Sequence, residues 1–357
     1  MITLIKIKLK RKIKIISACI FCLIPAAFIL KYPTLSADGI RKGLEICGKT
    51  MIPSLFPFLV ISAFATSSGI LEIMGRKTEK ICRKILKLSG TAGSVIFFGL
   101  WGGFPVGCSM AQTLLSQNKI TQNEAKRIVL SSVNAGPAFV IGAVGTMFLS
   151  SFKAGVIMYV SLSLASLTIS FLSRFILEDT AKKQINGAAP PPLSEAFVTS
   201  VYSASQSMIS ICAWLVVFSC FLAIATGKIS GENTSSFLKA VCEVSLGCSE
   251  ISRFRNPVIL SAIIGWGGLC VHCQVLPNVI KTGLKLKYFF CSRLLHSMLA
   301  SIICSLLIKI FPCEISVFSS GTETIAQTFA VSAPAATGLL IMCAIFILDL
   351  DTHKKMC

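Results

Sequence analysis

Charge is scarce in this chain. Only 14% of its 357 residues are Asp, Glu, Lys or Arg, against about 25% in soluble domains. The shortage runs the whole length. That excludes a soluble domain carried on one anchor and leaves a polytopic membrane protein. Acidic residues are the scarcest, 15 against 34 basic ones, for a net charge of +19. The surplus does not point to nucleic acid, because Lys and Arg sit in short clusters between apolar runs, where cytoplasmic membrane loops carry them. No nucleotide-binding glycine loop is expected, so neither is ATP hydrolysis. Paired intramembrane carboxylates are missing, which removes the usual proton-pump pattern. So are the Gly-x-Ser-x-Gly and His-Glu-x-x-His motifs, and no enzymatic activity is expected.

Apolar residues make up 54% of the chain, with a mean hydropathy of +0.79. Cysteine is plentiful, 16 residues, but scattered through apolar segments, where free thiols act as small hydrophobes. Cys19-x-x-Cys22 and Cys270-x-x-Cys273 have metal-like spacing. No second ligand pair completes either, so neither a metal nor another cofactor is expected.

One stretch organises the rest. Leu100-Trp101-Gly102-Gly103-Phe104-Pro105-Val106-Gly107-Cys108-Ser109-Met110 returns as Gly265-Trp266-Gly267-Gly268-Leu269-Cys270-Val271-His272-Cys273-Gln274-Val275. Glycines and a proline inside apolar sequence break a membrane helix. Broken backbone at membrane depth persists only where protein buries it or where it lines a wet cavity. Two such breaks in matching positions point to a binding site between repeats.

In chain order, a basic start and the apolar run Ile15 to Leu30 read as a signal-anchor helix with a cytoplasmic N-terminus. With the amphipathic connection Lys31 to Lys49, this forms a segment over 1–50. A first repeat covers 51–177: the span Met51 to Leu71, the basic cluster Arg76, Lys77, Lys80, Arg83, Lys84 and Lys87, the first Trp-Gly-Gly element, and two further apolar stretches. Thr121-x-x-Glu124 fits a capping box. A linker at 178–196 carries Pro190-Pro191-Pro192. A second repeat covers 197–357, with the second Trp-Gly-Gly element in Pro257 to Val279 and a last span at Phe329 to Leu348. The expected fold is an all-α polytopic transmembrane bundle of eight to ten segments. It is built from two related repeats with glycine-broken or re-entrant segments. If the Trp-Gly-Gly elements re-enter, the repeats are inverted and Lys281 to Lys287 falls outside. If they cross, the repeats are parallel.

Candidate solute-binding residues gather at the breaks: Trp101, Gly102, Gly103, Ser109 and Asn134 near the first, Trp266, Gly267, Gly268, His272 and Gln274 near the second. Freed backbone groups and helix N-termini there hold a polar solute without ionised side chains. The plainer alternatives are close helix packing for the glycines and interfacial aromatic belts for the tryptophans. Arg127, Arg293 and His296 read as span-end residues that snorkel or meet headgroups, and Glu243 as a surface carboxylate.

Met51-Ile-Pro-Ser-Leu-Phe-Pro-Phe58, Gly102-Gly-Phe-Pro-Val-Gly107, Asn134-Ala-Gly-Pro-Ala-Phe139, Glu243-Val-Ser-Leu-Gly247 and Gly267-Gly-Leu-Cys-Val-His-Cys-Gln274 resemble YlbJ-type sporulation integral membrane proteins. These are grouped with nucleoside-recognition, or Gate, domains, which also resemble parts of ferrous-iron transporter B and concentrative nucleoside transporters. The resemblance implies a multi-pass inner-membrane protein of a spore-former, needed for spore cortex formation. The leading expectation is a transporter or channel for a small polar solute, nucleoside-like by family label alone. The alternative is a scaffold that recruits sporulation partners. Expected partners are the lipid bilayer, the solute, sporulation membrane proteins and, for an oligomer, further copies of the chain. No nucleic acid is expected.

Overall fold

The computed structural model describes residues 16–17, 19–20, 22–177, 191–229 and 231–313. The N-terminal basic run, most of the predicted linker and the predicted last span lie outside them. Among the described residues every regular element is helical, and the protein is a polytopic helical membrane bundle. A short apolar helix α1, Cys22–Lys31, precedes α2, Pro33–Ile46. One π turn at Cys47–Met51 carries α2 into α3, Ile52–Ser67. The predicted surface connection is therefore wound into one 35-residue helical span. Gly43-Leu-Glu-Ile-Cys-Gly48-Lys49-Thr50 has the spacing of a phosphate-binding loop. It is wound into this helix, with Gly43 packed against the backbone of Val216, so it cradles no phosphate.

Next come α4, Ile70–Leu86; α5, Gly90–Gly102; α6, Val106–Ser116; α7, Gln122–Ser131; a π-helix at Ala138–Phe148; and α8, Phe152–Ser173. After the linker follow α9, Leu193–Thr226; α10, Glu232–Cys242; α11, Val244–Ile251; α12, Pro257–Trp266; α13, Gly268–Lys281; and α14, Leu286–Ile310.

Side-chain ties fix which helix ends share a face of the bundle. The α5 N-cap, Ser89, donates its amide to Glu124 at the start of α7, 2.6 Å away. Lys119, just past α6, pairs with Glu72 of α4 at 2.6 Å. Gln122 donates to the Thr282 carbonyl at 3.3 Å, and Arg174 at the end of α8 to the Ile85 carbonyl at 2.8 Å. Ser67 at the end of α3 meets Ser200 near the start of α9 at 3.1 Å. All these ends lie on one face, and α4 lies across it, turned 89° from α5. At the other face Lys153 reaches the Pro312 carbonyl, 2.7 Å, and Gly227 packs on Leu35.

The topology follows. α5 enters from the α4 face and α6 returns to it, Gly99 packing on Gly107 across the hairpin. α7 and the π-helix cross in two pieces, and α8 comes back. The second half repeats this order upside down. α9 crosses to the far face, α10 and α11 form a hairpin from that side with Gly247 against Ala240, α12 and α13 cross in two pieces, and α14 comes back.

Among the described residues five helices are long and apolar enough to cross a membrane, or six if the bent α4–α5 pair counts. Eight to ten were expected over the whole chain. Of these, the last at Phe329 to Leu348 lies outside the described residues, the first Trp-Gly-Gly stretch folds into the α5–α6 hairpin, and the next apolar stretch is split between α7 and the π-helix.

The two Trp-Gly-Gly copies are not equivalent. The first forms a hairpin tip and the second breaks a crossing segment. The counterpart of the first tip is Cys242-Glu243, and the counterpart of the second break is the non-helical stretch 132–136. This also places Lys281 to Lys287 on the same face as the basic α4, although the halves are inverted.

Candidate functional site

Each of four segments interrupts its helix for a local reason. At the first tip Gly103 adopts φ +92°, a left-handed conformation open to glycine at little cost, and Pro105 cannot continue the ladder. In the stretch 132–136, Gly136 lies so close to the first tip that an added Cβ would sit 2.8 Å from the Trp101 carbonyl oxygen. At the second tip Glu243 is extended and caps α11, its Oε2 accepting from the Leu246 amide at 2.7 Å. At the fourth break Gly267 and Gly268 take φ +86° and +79°, and Gly268 abuts the Cys242–Val244 backbone.

The four interruptions meet. Gly103, Phe104 and Pro105, Ala135 and Gly136, and Glu243, Val244 and Ser245 line one cavity, joined by Val271 and Gln274 one turn past the fourth break. Met51 of the π turn, Leu55 of α3 and Ile211 and Leu215 of α9 close the remaining side. The volume is about 40 Å³, room for roughly two or three waters. A drug-sized ligand needs ~300 Å³ or more, so the site is occluded in this conformation.

Glu243 is its most consequential group. The side chain is 2% exposed, which corrects the surface reading. Among the described residues no Lys or Arg forms an ion pair with it. Its sequence signal was the short Glu-Val-Ser-Leu-Gly motif in a stretch too polar to span. Ser245, also unpredicted, sits beside it.

Of the predicted residues, Gly103 and Gln274 line the cavity, and Gly102, Gly267 and Gly268 shape its walls. Asn134 is fully buried. Its Oδ1 accepts from the Ala135 amide, and its Nδ2 meets no partner. His272 is 2% exposed, with Nε2 2.9 Å from the Trp266 carbonyl. That contact needs the Nε2–H tautomer and leaves Nδ1 as an unpartnered acceptor. Ser109 lines a separate cleft. Neither tryptophan faces the cavity. Trp101 is 48% exposed, beside Phe97. Trp266 donates from Nε1 to the Val241 carbonyl at 2.9 Å and stacks edge-on with His272 at 4.3 Å, pinning the second tip.

The arginines are not at the membrane surface. Arg127 is fully buried and holds the α4 C-terminus through the Leu86 and Lys87 carbonyls. Arg293, also fully buried, donates to the Val133 carbonyl and to that of Leu130 at 2.7 Å, binding the end of α7. His296 sits between the Gly265 and Leu162 carbonyls, 3.0 Å from each. A helix C-terminus carries partial negative charge, so each arginine is matched to a helix end.

Two hairpins entering from opposite faces, and two broken crossings that meet them at one small cavity, define a class: an inverted-repeat polytopic membrane protein. The chain is similar to the sporulation integral membrane protein YlbJ of Bacillus subtilis (strain 168), 24% identical over 341 residues, or 84% of each chain. The YlbJ-type resemblance read from the motifs is borne out. No family model and no solved structure matches the chain.

Proposed function

We propose that this protein is a transporter or channel for a small polar solute, which it moves without chemical change. The observation that supports this is the meeting of four interrupted segments, two from each half, at one small cavity whose mostly apolar wall holds Glu243, Ser245 and Gln274. Inverted repeats with discontinuous helices at mid-depth are how many transporters build their sites. Glu243, Ser245 and Gln274 would contact the solute or a coupled cation, and the backbone at Gly103 and Gly136 would shape the fit. A nucleoside would enter only after the tips part from α3 and α9.

The basic α4 and Lys281 to Lys287 share one face, which the positive-inside tendency assigns to the cytoplasm. α2 then begins at the outer face, and a cytoplasmic N-terminus requires one crossing before it. From the relative's name we extend to this chain a role in sporulation as an integral membrane protein; a place in the inner membrane of a spore-former and a part in cortex formation are what the motif resemblance implies. A scaffold is the competing reading, favoured by the small volume of the cavity.

The test is a thermal-stability and uptake screen of the full chain in detergent and in proteoliposomes, with nucleosides, amino acids, cell-wall precursors and monovalent cations. A ligand at 100 times its dissociation constant stabilises the folded state by about 2.7 kcal/mol. We expect one class to do so, to be taken up, and to lose both effects in Gln274→Ala but not in Trp101→Ala. A flat screen, with Gln274→Ala and Glu243→Gln cells sporulating normally, would leave the scaffold.

A further inference from the structure

A second cavity lies on α3 and α9, which also close the central one, and on α6. It occupies about 170 Å³ between them. Hydroxyl and amide groups recur along its otherwise apolar walls: Thr66 on α3, Ser109, Thr113 and Gln117 on α6, Ser203 and Ser207 on α9. A spacing of four residues keeps them on one helix face, so three polar faces converge. Close packing through small residues would explain serines at a helix contact, but close packing leaves no such volume. Among the residues lining it, none is charged. Thr66 and Ser207 donate to carbonyls one turn back in their own helices, at 2.8 and 3.0 Å. Their oxygens remain as acceptors for whatever fills the cleft.

The cleft begins at the α4 face, where Gln117 ends α6 and α9 starts near Thr199, and runs inward. Its inner end is one residue or one turn from the central cavity on each wall. Val106 adjoins Pro105, Leu59 is one turn from Leu55, and Ser207 is one turn from Ile211. Leu59 and Val106, 5% and 2% exposed, form the plug between them.

We propose that this cleft is a water-filled vestibule that admits an uncharged, hydrogen-bond-donating solute from the α4 face to the four-break cavity, with Leu59 and Val106 as its inner gate. Its use by a solute rests on the transport reading. Its existence as a path does not.

The experiment separates the two. Ser109→Cys, Ser203→Cys and Gln274→Cys are placed singly in the full chain and labelled in sealed membrane vesicles of both orientations with a membrane-impermeant maleimide, scored above the parent. Lys80→Cys, on the exposed basic helix, marks the α4 side, and Leu164→Cys, on the outer face of α8, marks burial in lipid. Thiolate chemistry needs water access, so Ser109→Cys and Ser203→Cys should react from the Lys80 side only and about tenfold faster than Leu164→Cys. Gln274→Cys should stay protected and become about fivefold faster when Leu59→Ala opens the gate. The proposal is overturned if both vestibule positions react no faster than Leu164→Cys, or from the other side, or if Leu59→Ala leaves Gln274→Cys protected. Labelling as expected with no uptake of any solute would retain the path and remove the transport reading.

Discussion

The two halves of the molecule carry the same order of elements in opposite directions, yet they hold their breaks open by different means. In the first half backbone lies against backbone: Gly136 against the Trp101 carbonyl, with Gly103 beside it. Ser166 of α8 secures the end of α7 through the Ser131 carbonyl, and Arg293 of the second half binds it through Leu130 and Val133. In the second half Gly268 likewise abuts the Cys242–Val244 backbone, and side chains of that half add most of the remaining hold. Glu243 caps α11 and Trp266 ties the tip to the fourth break. A duplicated architecture thus fixes where the chain must break but not which chemistry stabilises the break. The two buried charges near the centre are each matched to a helix end, Arg293 to the negative end of α7 and Glu243 to the positive end of α11. The centre balances its dipoles without a salt bridge.

The largest effect should come from Arg293→Ala, which opens a cavity and strips two buried carbonyls of their donor. We expect a loss of roughly 3–5 kcal/mol, read from thermal unfolding in detergent. Gly136→Val should follow at about 3 kcal/mol, because its branched side chain meets backbone that cannot retreat. Gly142→Val, where an added Cβ meets nothing within 4 Å, is the control. If the two glycine variants melt together, backbone contact is not what holds the first half.

Glu243→Ala should cost about 1–2 kcal/mol through the lost cap, whereas Glu243→Gln keeps an acceptor for the Leu246 amide. The Gln variant isolates the charge. If Glu243→Gln melts as low as Glu243→Ala, the cap is not what holds the second tip. Trp266→Phe keeps the ring against His272 and loses one hydrogen bond, about 1 kcal/mol. Trp101→Ala, on the outer surface, should stay within about 0.5 kcal/mol. A larger loss there would mean that the first tip, too, is held by a side chain.

Much of this was legible. Composition specified a helical membrane bundle, and Trp-Gly-Gly located two of the four breaks. Asn134-Ala-Gly-Pro sat on the third, although 128–149 reads as one apolar stretch, because hydropathy cannot register five non-helical residues inside it. Glu243 was misjudged because a carboxylate in a polar stretch normally faces water. Only the fold turns that stretch into a hairpin and drives its tip inward. Pairing one Trp-Gly-Gly copy with the other failed for a related reason. The same glycine chemistry suits a tip and a mid-span break, so the motif reports backbone conformation and not position in the repeat. The arginines were placed outside because snorkelling is the usual answer for a cation in a span. Helix ends presented by neighbouring segments are invisible to a linear reading.

The meeting of four interruptions has a consequence for how the molecule is made. The first tip leaves the ribosome roughly 140 residues before the second. At about 5–20 residues per second, the α5–α6 hairpin waits roughly ten to thirty seconds for Glu243, and longer for Arg293 to reach the end of α7. During that interval its open backbone is in the bilayer without the segments that will bury it. A half-built copy is therefore a natural client for insertion chaperones and membrane proteases, and yield in the cell should depend on how long translation of the second half takes.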